Sequence, residues 1–271
     1  MDAACMDRAP ERFPMLHSEQ IFNPWQARTV CLETAVSTND TAKELARSGA
    51  AHGTVVLADH QSGGRGRLGR SFSSPAGLGI YCSVILRFDL PPQRLLCLTP
   101  LAAEALRRAV SEVSGLQPQI KWINDLVLDG KKLCGILTEL VFDAHGTAAV
   151  VGFGINCKQR REDFPPELRE MAVSLSMYRP TEREPLICAA LRHLQAAGEA
   201  CAADPTPWMD SYRAHCLTLG RDVQILQNDT VRPGHVLTMD NDGALQVRLE
   251  DGTTERIFSG EVSVRGLYGY I

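Results

Sequence analysis

The seven residues from Gly64 to Arg70, Gly-Arg-Gly-Arg-Leu-Gly-Arg, constrain the fold more than any other stretch of the chain. By spacing they match G-x-G-x-x-G, the turn that opens the first helix of a dinucleotide-binding sheet and sets a pyrophosphate on that helix's N-terminus. No helix can follow here. The next residues, Ser71-Phe72-Ser73-Ser74-Pro75-Ala76-Gly77, form a turn-rich run, and guanidinium groups fill the variable positions of the motif. The doubly wound dinucleotide fold is therefore excluded at this point. Two readings remain: a solvated basic surface loop, or a mobile loop whose arginines close bidentately on phosphate or carboxylate oxygens.

The basic character is local. Formal net charge is -4 over 271 residues, so the chain as a whole has no bulk attraction for nucleic acid or an anionic membrane. With 44% hydrophobic and 22% charged residues, it has material for one large domain and a small one. Nine cysteines are scattered singly, with no C-x-x-C pair. The residues before Leu16 have no apolar segment of signal-peptide type, and no run approaches a membrane span. These features predict reduced thiols in the cytoplasm rather than disulfides or a zinc site. The dispersed histidines show no metal-ligand spacing.

Residues 1–28, with Pro10, Pro14 and Pro24, read as an extended or partly ordered arm. A helix is predicted from Ser37, whose hydroxyl can cap it while Asp40 supplies an acid in the first turn; Ala42, Leu45 and Ala46 form its apolar face and Gly49 ends it. Val55–Ala58 and Ile80–Phe88 read as strands. Apolar residues at helical spacing between Gln93 and Ser114 predict a long helix, which Pro100 either kinks or starts. Ile120–Val141 reads as a hairpin turning on Asp129-Gly130, the pair preferred in a type I′ turn. In a regular hairpin Val127 faces Lys132 and Asp125 faces Cys134, which puts Asp125 and Lys132 on one surface. Val150–Cys157 reads as a further strand, where Gly152 and Gly154 make room for another backbone or a ligand. Helical patterns cover Glu182–Ala203 and Pro207–Leu219. Beyond Gly220, short alternating strands punctuated by Asn241-Asp242-Gly243 and Asp251-Gly252 predict a small barrel of about fifty residues. The expected division is an arm (1–28), a large α/β domain (29–218) and a terminal domain (219–271).

Several of these segments form an ordered set. The arginine loop, Lys121-Trp122-Ile123-Asn124-Asp125, Lys132-Leu133-Cys134-Gly135-Ile136-Leu137 and Gly152-Phe153-Gly154-Ile155-Asn156 resemble the biotin protein ligases, as do Ser37-Thr38-Asn39 and Gly260-Glu261-Val262-Ser263. The resemblance runs from about residue 30 to 265. It implies an α/β (α+β) catalytic domain related to class II aminoacyl-tRNA synthetases, followed by an SH3-like barrel, in a short form without an N-terminal DNA-binding domain. It also implies the reaction: ATP activates biotin as biotinyl-5′-AMP with loss of pyrophosphate, and the biotinyl group then passes to a lysine of a biotin carboxyl carrier domain. Neither nucleic acid nor membrane is an implied partner; a homodimer is compatible with it.

Carried over residue by residue, the resemblance assigns Ser37, Thr38, Asn39 and Gln61 to the ureido ring of biotin. Gly64, Gly66, Gly135 and Gly154 are placed along biotin, with Gly79 also clearing the slot for its tail. Arg65, Arg67 and Lys132 are given to both the biotin carboxylate and the nucleotide phosphates, Lys132 bridging the two. Arg70, Lys121, Trp122, Asn124 and Asn156 are placed on ATP. Asn124 and Asp125 either hold Mg²⁺-ATP, with Asp125 the metal ligand, or orient the incoming lysine. Two departures stand out: Phe72 replaces a tryptophan frequent after the loop, and Ile123 replaces the proline of K-W-P-N-D. Ser37 has a plain alternative as a helix cap, and Trp122 as a core residue. Glu261 and Arg265 could contact the carrier or the nucleotide, or form surface ion pairs. Two other functions compete: lipoyl or octanoyl transfer with Cys134 as acyl carrier, against Cys134 as a buried thiol, and a non-catalytic biotin sensor.

Overall fold

The computed structural model describes residues 15–144, 146–227, 230–258 and 263–266. A mixed sheet of seven strands carries the larger part. Its strands are β1 (Thr29–Ala35), β2 (Thr54–Gln61), β3 (Gly79–Phe88), β4 (Gln119–Lys121), β5 (Asp125–Leu128), β6 (Lys131–Asp143) and β7 (Gly146–Asn156), in the order β1-β2-β3-β7-β6-β5-β4. Only β1 and β2 run parallel, joined by the crossover helix α1 (Thr38–Arg47). Helices α2 (Leu98–Ser114), α3 (Arg183–Ala202) and α4 (Thr206–His215) follow the predicted patterns to within a few residues. The two long ones, α2 and α3, bury the main core against one face of the sheet.

The other face is covered at one end only. Ala42 and Ala46 of α1, with Leu45, pack on Val56, Ile85, Val141 and Val150. Alternation along β7 then puts Gly152, Gly154 and Asn156 on the same face as Val150, beyond the start of the helix. Those glycines leave the sheet bare where α1 no longer covers it.

Several local expectations change in the fold. Ser37 precedes α1, yet its hydroxyl makes no capping bond; its carbonyl accepts the Thr41 N–H at 3.2 Å, and the side chain is buried. Pro100 lies in the first turn of α2 and does not kink it, and Gly115, at φ 72°, ends that helix. From residue 15 onward the expected arm is docked, since Leu16 and Ile21 join the core and Asn23 Nδ2 donates to the carbonyls of Ala27 and Gly53 at 3.0 Å. Strand β1 had no clear sequence signal, and its burial pattern shows no regular alternation.

The Asp129-Gly130 turn forms with both residues at positive φ, 46° and 75°, as a type I′ turn requires. The arm leading into it is not one strand, however. Chain direction reverses at Trp122–Asn124, so β4 and β5 pair antiparallel and Lys121 faces Asp125; the Trp122–Ile123 peptide is cis. A β-bulge between Leu126 and Val127 also shifts the register: Val127 faces Lys132 as expected, but Asp125 faces Gly135 and not Cys134. The reason is Leu133, a surplus residue on β6. Leu133 and Cys134 are both fully buried, and a bulge lets two consecutive residues contribute to one core.

After α4 come β8 (Asp222–Gln227), β9 (Thr230–Met239), β10 (Leu245–Leu249), β11 (Thr254–Ile257) and β12 (Ser263–Gly266), an antiparallel sheet ordered β11-β10-β9-β8-β12. Among the described residues no pairing joins β11 to β12, so the all-β class of this part holds while the sheet stays open. Gly260, Glu261 and Val262 lie outside the described residues, as does the side chain of Arg265. No helix among the described residues is long and apolar enough to cross a membrane.

Candidate active site

The bare end of the sheet is the floor of a cavity of about 640 Å³. Gly135, Gly152 and Gly154 lie along it, the start of α1 forms one wall, and the arginine loop crosses its mouth. The glycines are required by close approach. A Cβ on Gly152 would lie 1.9 Å from Asn39 Oδ1, and one on Gly154 would lie 2.5 Å from the Phe72 ring.

One end of the cavity is lined by neutral amides and hydroxyls, which are held by a hydrogen-bond network behind them. Ser83 Oγ lies 2.6 Å from Asn39 Oδ1 and 2.8 Å from Thr38 Oγ1. The Asn39 amide donates to Glu139 Oε2 at 2.8 Å and to the Leu137 carbonyl at 3.2 Å. Gln61 Oε1 accepts the Thr38 N–H at 2.8 Å, while its Nε2 donates to Ser74 Oγ at 2.9 Å. Ser37, Thr38 and Asn39 are each 4% exposed, so their side chains are held in place before any ligand binds. Buried donors and acceptors of this kind suit a planar polar group that must itself be paired.

The other end is cationic. Arg65, Arg67, Arg70, Lys121 and Lys132 line it, and Asp125 is the one carboxylate among the lining residues. Lys132 Nζ sits 2.8 Å from Asp125 Oδ1. Asp125 and Lys132 share one surface as expected, and the bulge sets Gly135 opposite Asp125, where the missing side chain leaves room for the lysine: a Cβ there would lie 3.1 Å from Lys132 Cε. Across the cavity Arg67 Nη1 donates to Asn124 Oδ1 at 3.3 Å, and Asn124 Nδ2 donates to the Ile136 carbonyl at 2.8 Å. Burial pulls the Arg67 guanidinium below its ordinary pKa, and Asp125 acts in the opposite sense; an arginine remains charged under either influence.

Nearly every residue assigned to the site from sequence lines this one cavity, and the exceptions are informative. Gly64 does not line it. A Cβ at Gly64 would meet the Phe72 carbonyl and Ser74 Oγ at 2.6 Å, so this glycine closes the base of the loop. Gly79 makes way for the Tyr81 ring. Trp122 touches the cavity but is only 5% exposed, and its indole N–H donates to the Gly243 carbonyl at 2.9 Å, in the turn between β9 and β10. The core reading of Trp122 therefore holds. Asn156 spends its amide on the carbonyls of Val173 and Lys132, at 3.0 and 3.3 Å.

Cys134 is fully buried in the core, and burial pushes its thiol well above the ordinary range. It does not line the cavity. A thioester at this position would need a thiolate in contact with the substrate, and neither condition is met. Cys134→Ala is expected to cost on the order of 1 kcal/mol of stability and to leave the cavity's ligand binding unchanged; thermal melting and calorimetry check both.

The sequence reading missed one wall. Phe164, Leu168, Met171 and Ala172 line the cavity beside Lys132, held by Lys132 N–H to the Met171 carbonyl at 2.7 Å and Val173 N–H to the Lys132 carbonyl at 3.0 Å. The i, i+4, i+7 spacing of Phe164, Leu168 and Met171 was the available signal, and Pro165-Pro166 obscured it.

Comparison with known proteins adds a second line of support. Residues 32–156 match the biotin/lipoate A/B protein ligase family and residues 218–265 the biotin protein ligase C terminal domain. The chain is 35% identical over 234 residues to the bifunctional ligase/repressor BirA of Bacillus subtilis, covering 84% of this chain and 71% of that protein. It is 31% identical over 212 residues to the biotin–[acetyl-CoA-carboxylase] ligase of Mycobacterium tuberculosis, covering 74% and 75%. A solved biotin protein ligase from Aquifex aeolicus, in complex with biotin and ATP, superposes with a TM-score of 0.75 at 28% identity, over 88% of this chain and 99% of that one. On sequence, fold and the arrangement of the cavity, the chain belongs to the biotin protein ligases of the biotin/lipoate A/B protein ligase family.

Proposed function

We propose that this chain joins biotin to ATP as biotinyl-5′-AMP, releasing pyrophosphate, and transfers the biotinyl group to a lysine of a carrier domain. The observation that carries the reading is the division of the cavity: buried neutral amides at one end, five cations against one carboxylate at the other. In the first step a biotin carboxylate oxygen attacks the α-phosphorus and pyrophosphate leaves. Two anions brought to about 4 Å repel by roughly 4 kcal/mol at a protein-surface dielectric. Fixed cations must offset that repulsion. Lys132 stands at the junction between the two ends and bridges the carboxylate and α-phosphate, while Arg65 and Arg67 close over the adenylate and Arg70 and Lys121 add positive potential.

Ser37, Thr38, Asn39 and Gln61 pair the ureido group, and the glycine floor takes the apolar tail. Phe164, Leu168 and Met171 give the base an apolar wall. In the second step the carrier's ε-amine attacks the acyl carbon and AMP leaves, so no enzyme nucleophile is needed; Asp125 orients that amine, a role its pairing with Lys132 supports.

No group of His, Cys, Asp or Glu suited to a metal occurs among the described residues. A single carboxylate fits Mg²⁺ only when the ion arrives on the ATP phosphates, the usual arrangement for this cation; Asp125 and Asn124 are the oxygen donors that would hold it. We assign the catalytic unit to residues 29–218 and the terminal unit to 219–271, and place the protein in the cytoplasm, where its free thiols are stable.

The lipoyl alternative loses its acyl carrier with the burial of Cys134. Pyrophosphate exchange with ATP and either biotin or lipoate, followed by mass spectrometry of a carrier domain, tests the proposal. Exchange driven by biotin and a carrier heavier by one biotinyl group are expected. Exchange with lipoate alone would overturn the substrate, and tight biotin binding with an unmodified carrier would support a sensor instead.

A further inference from the structure

The mouth of the cavity is crossed by a loop anchored through two of its arginines, Arg65 and Arg67. On one side Arg67 is bonded to Asn124, in the turn between β4 and β5. On the other, Arg65 forms an ion pair with Asp40, in the first turn of α1. The anchors belong to opposite walls, so the loop already lies over the cavity with its guanidinium groups on protein acceptors. Asp40 is itself part of a longer line of charge. Its Oδ1 is 3.1 Å from Lys43 Nζ, which reaches Glu139 Oε1 at 2.7 Å, and Glu139 Oε2 accepts from the Asn39 amide at 2.8 Å. Asn39 faces the neutral end of the cavity; Arg65 faces the cationic end. A carboxylate in the first turn of a helix is also favourably placed.

We propose that Asp40 is a positioning residue that clips Arg65 across the mouth of the cavity, so that the loop is held closed by the protein's own charge and not by the ligand's phosphate alone. Asp40 takes no part in the chemistry. Its effect is on how long the loop stays shut, and therefore on retention of a reactive intermediate that would otherwise escape to nearby amines. The size of the effect is bounded, because both side chains are partly exposed, 43% for Arg65 and 35% for Asp40. Exposed pairs of this kind shift an equilibrium by about two- to fivefold and are weakened by salt.

The test uses the full chain with Asp40→Asn and Asp40→Glu. In ligand-free protein at low salt, trypsin should cut after Arg65, Arg67 and Arg70 about two- to fivefold faster in the Asn variant, with cleavage elsewhere unchanged and the Glu variant restored toward the parent. Release of preformed biotinyl-5′-AMP should accelerate by a similar factor. High salt should remove both differences. Equal loop cleavage in parent and Asp40→Asn, or a difference that high salt leaves intact, overturns the proposal. The release measurement rests on the ligase reading, whereas the proteolysis does not. A parent protein that makes no adenylate therefore refutes the ligase reading and leaves Asp40 to be decided by proteolysis.

Discussion

Lys132→Met should lower biotin-dependent ATP–pyrophosphate exchange by about 10²- to 10³-fold, the cost of losing one preorganised charge that acts as the new bond forms. The argument is positional. Lys132 lies against the glycine floor, its Nζ 3.2 Å from where a Cβ on Gly135 would stand, fixed from behind by its main-chain bonds to Met171 and Val173 and in front by Asp125 at 2.8 Å. Methionine keeps the length and much of the volume of the side chain, so the floor of the cavity should survive. It also takes the ammonium of Lys132 from Asp125, whose side chain is 15% exposed, and the carboxylate would then repel the incoming phosphates more strongly. The loss should therefore fall on kcat and on the affinity for ATP together, while biotin binding without nucleotide changes little. Exchange kinetics and calorimetry with biotin alone check the split. Exchange within threefold of the parent would remove Lys132 from the reaction.

A comparable loss is expected from a single methyl group on the opposite side of the cavity. In Gly152→Ala the new Cβ would lie 1.9 Å from Asn39 Oδ1 and 2.7 Å from its Cγ, a distance no side chain tolerates. The amide must move, and with it go its bonds to Ser83, Leu137 and Glu139. Buried polar groups left without partners cost on the order of 1 to 3 kcal/mol each. Biotin affinity should fall by about 10²-fold or more, with a lowered melting temperature. Gly198→Ala is the internal comparison: its Cβ would meet only Leu86 Cδ1, at 3.8 Å, within α3, so it should stabilise the protein slightly. Titration calorimetry and thermal melting of the two variants separate the clash from a general effect of losing a glycine.

What could be read from the chain beforehand was whatever a short stretch determines by itself. Asp129-Gly130 specified its own turn, α2 and α3 carried long helical patterns, and Gly152 and Gly154 marked the place where the sheet had to stay bare. The arginine loop was legible because guanidinium groups and Ser-Pro turn residues contradict a dinucleotide helix within a dozen positions. What escaped depended on partners far along the chain or on single anchors. Leu16 and Ile21 hold the N-terminal segment without any repeat, and β1 lies against β2 with mixed burial. Asp40 could be read as a first-turn acid but not as the partner of Arg65, which is brought to it only by the fold. The wall from Phe164 to Ala172 was hidden by two prolines, and the reversal at Trp122–Asn124 by the mainly apolar stretch Ile120–Leu128, which reads as one strand.

The bulge between β5 and β6 has a consequence for which chemistry this scaffold supports. With regular pairing, Cys134 would stand opposite Asp125 on the reactive face, and a sulfur nucleophile would be within reach of an activated acyl group. One additional residue, Leu133, rotates that sulfur into hydrocarbon and presents a glycine in its stead. The mixed anhydride is thereby left for the visiting amine alone, and self-acylation at this position is prevented by strand geometry, with the cysteine still in the sequence.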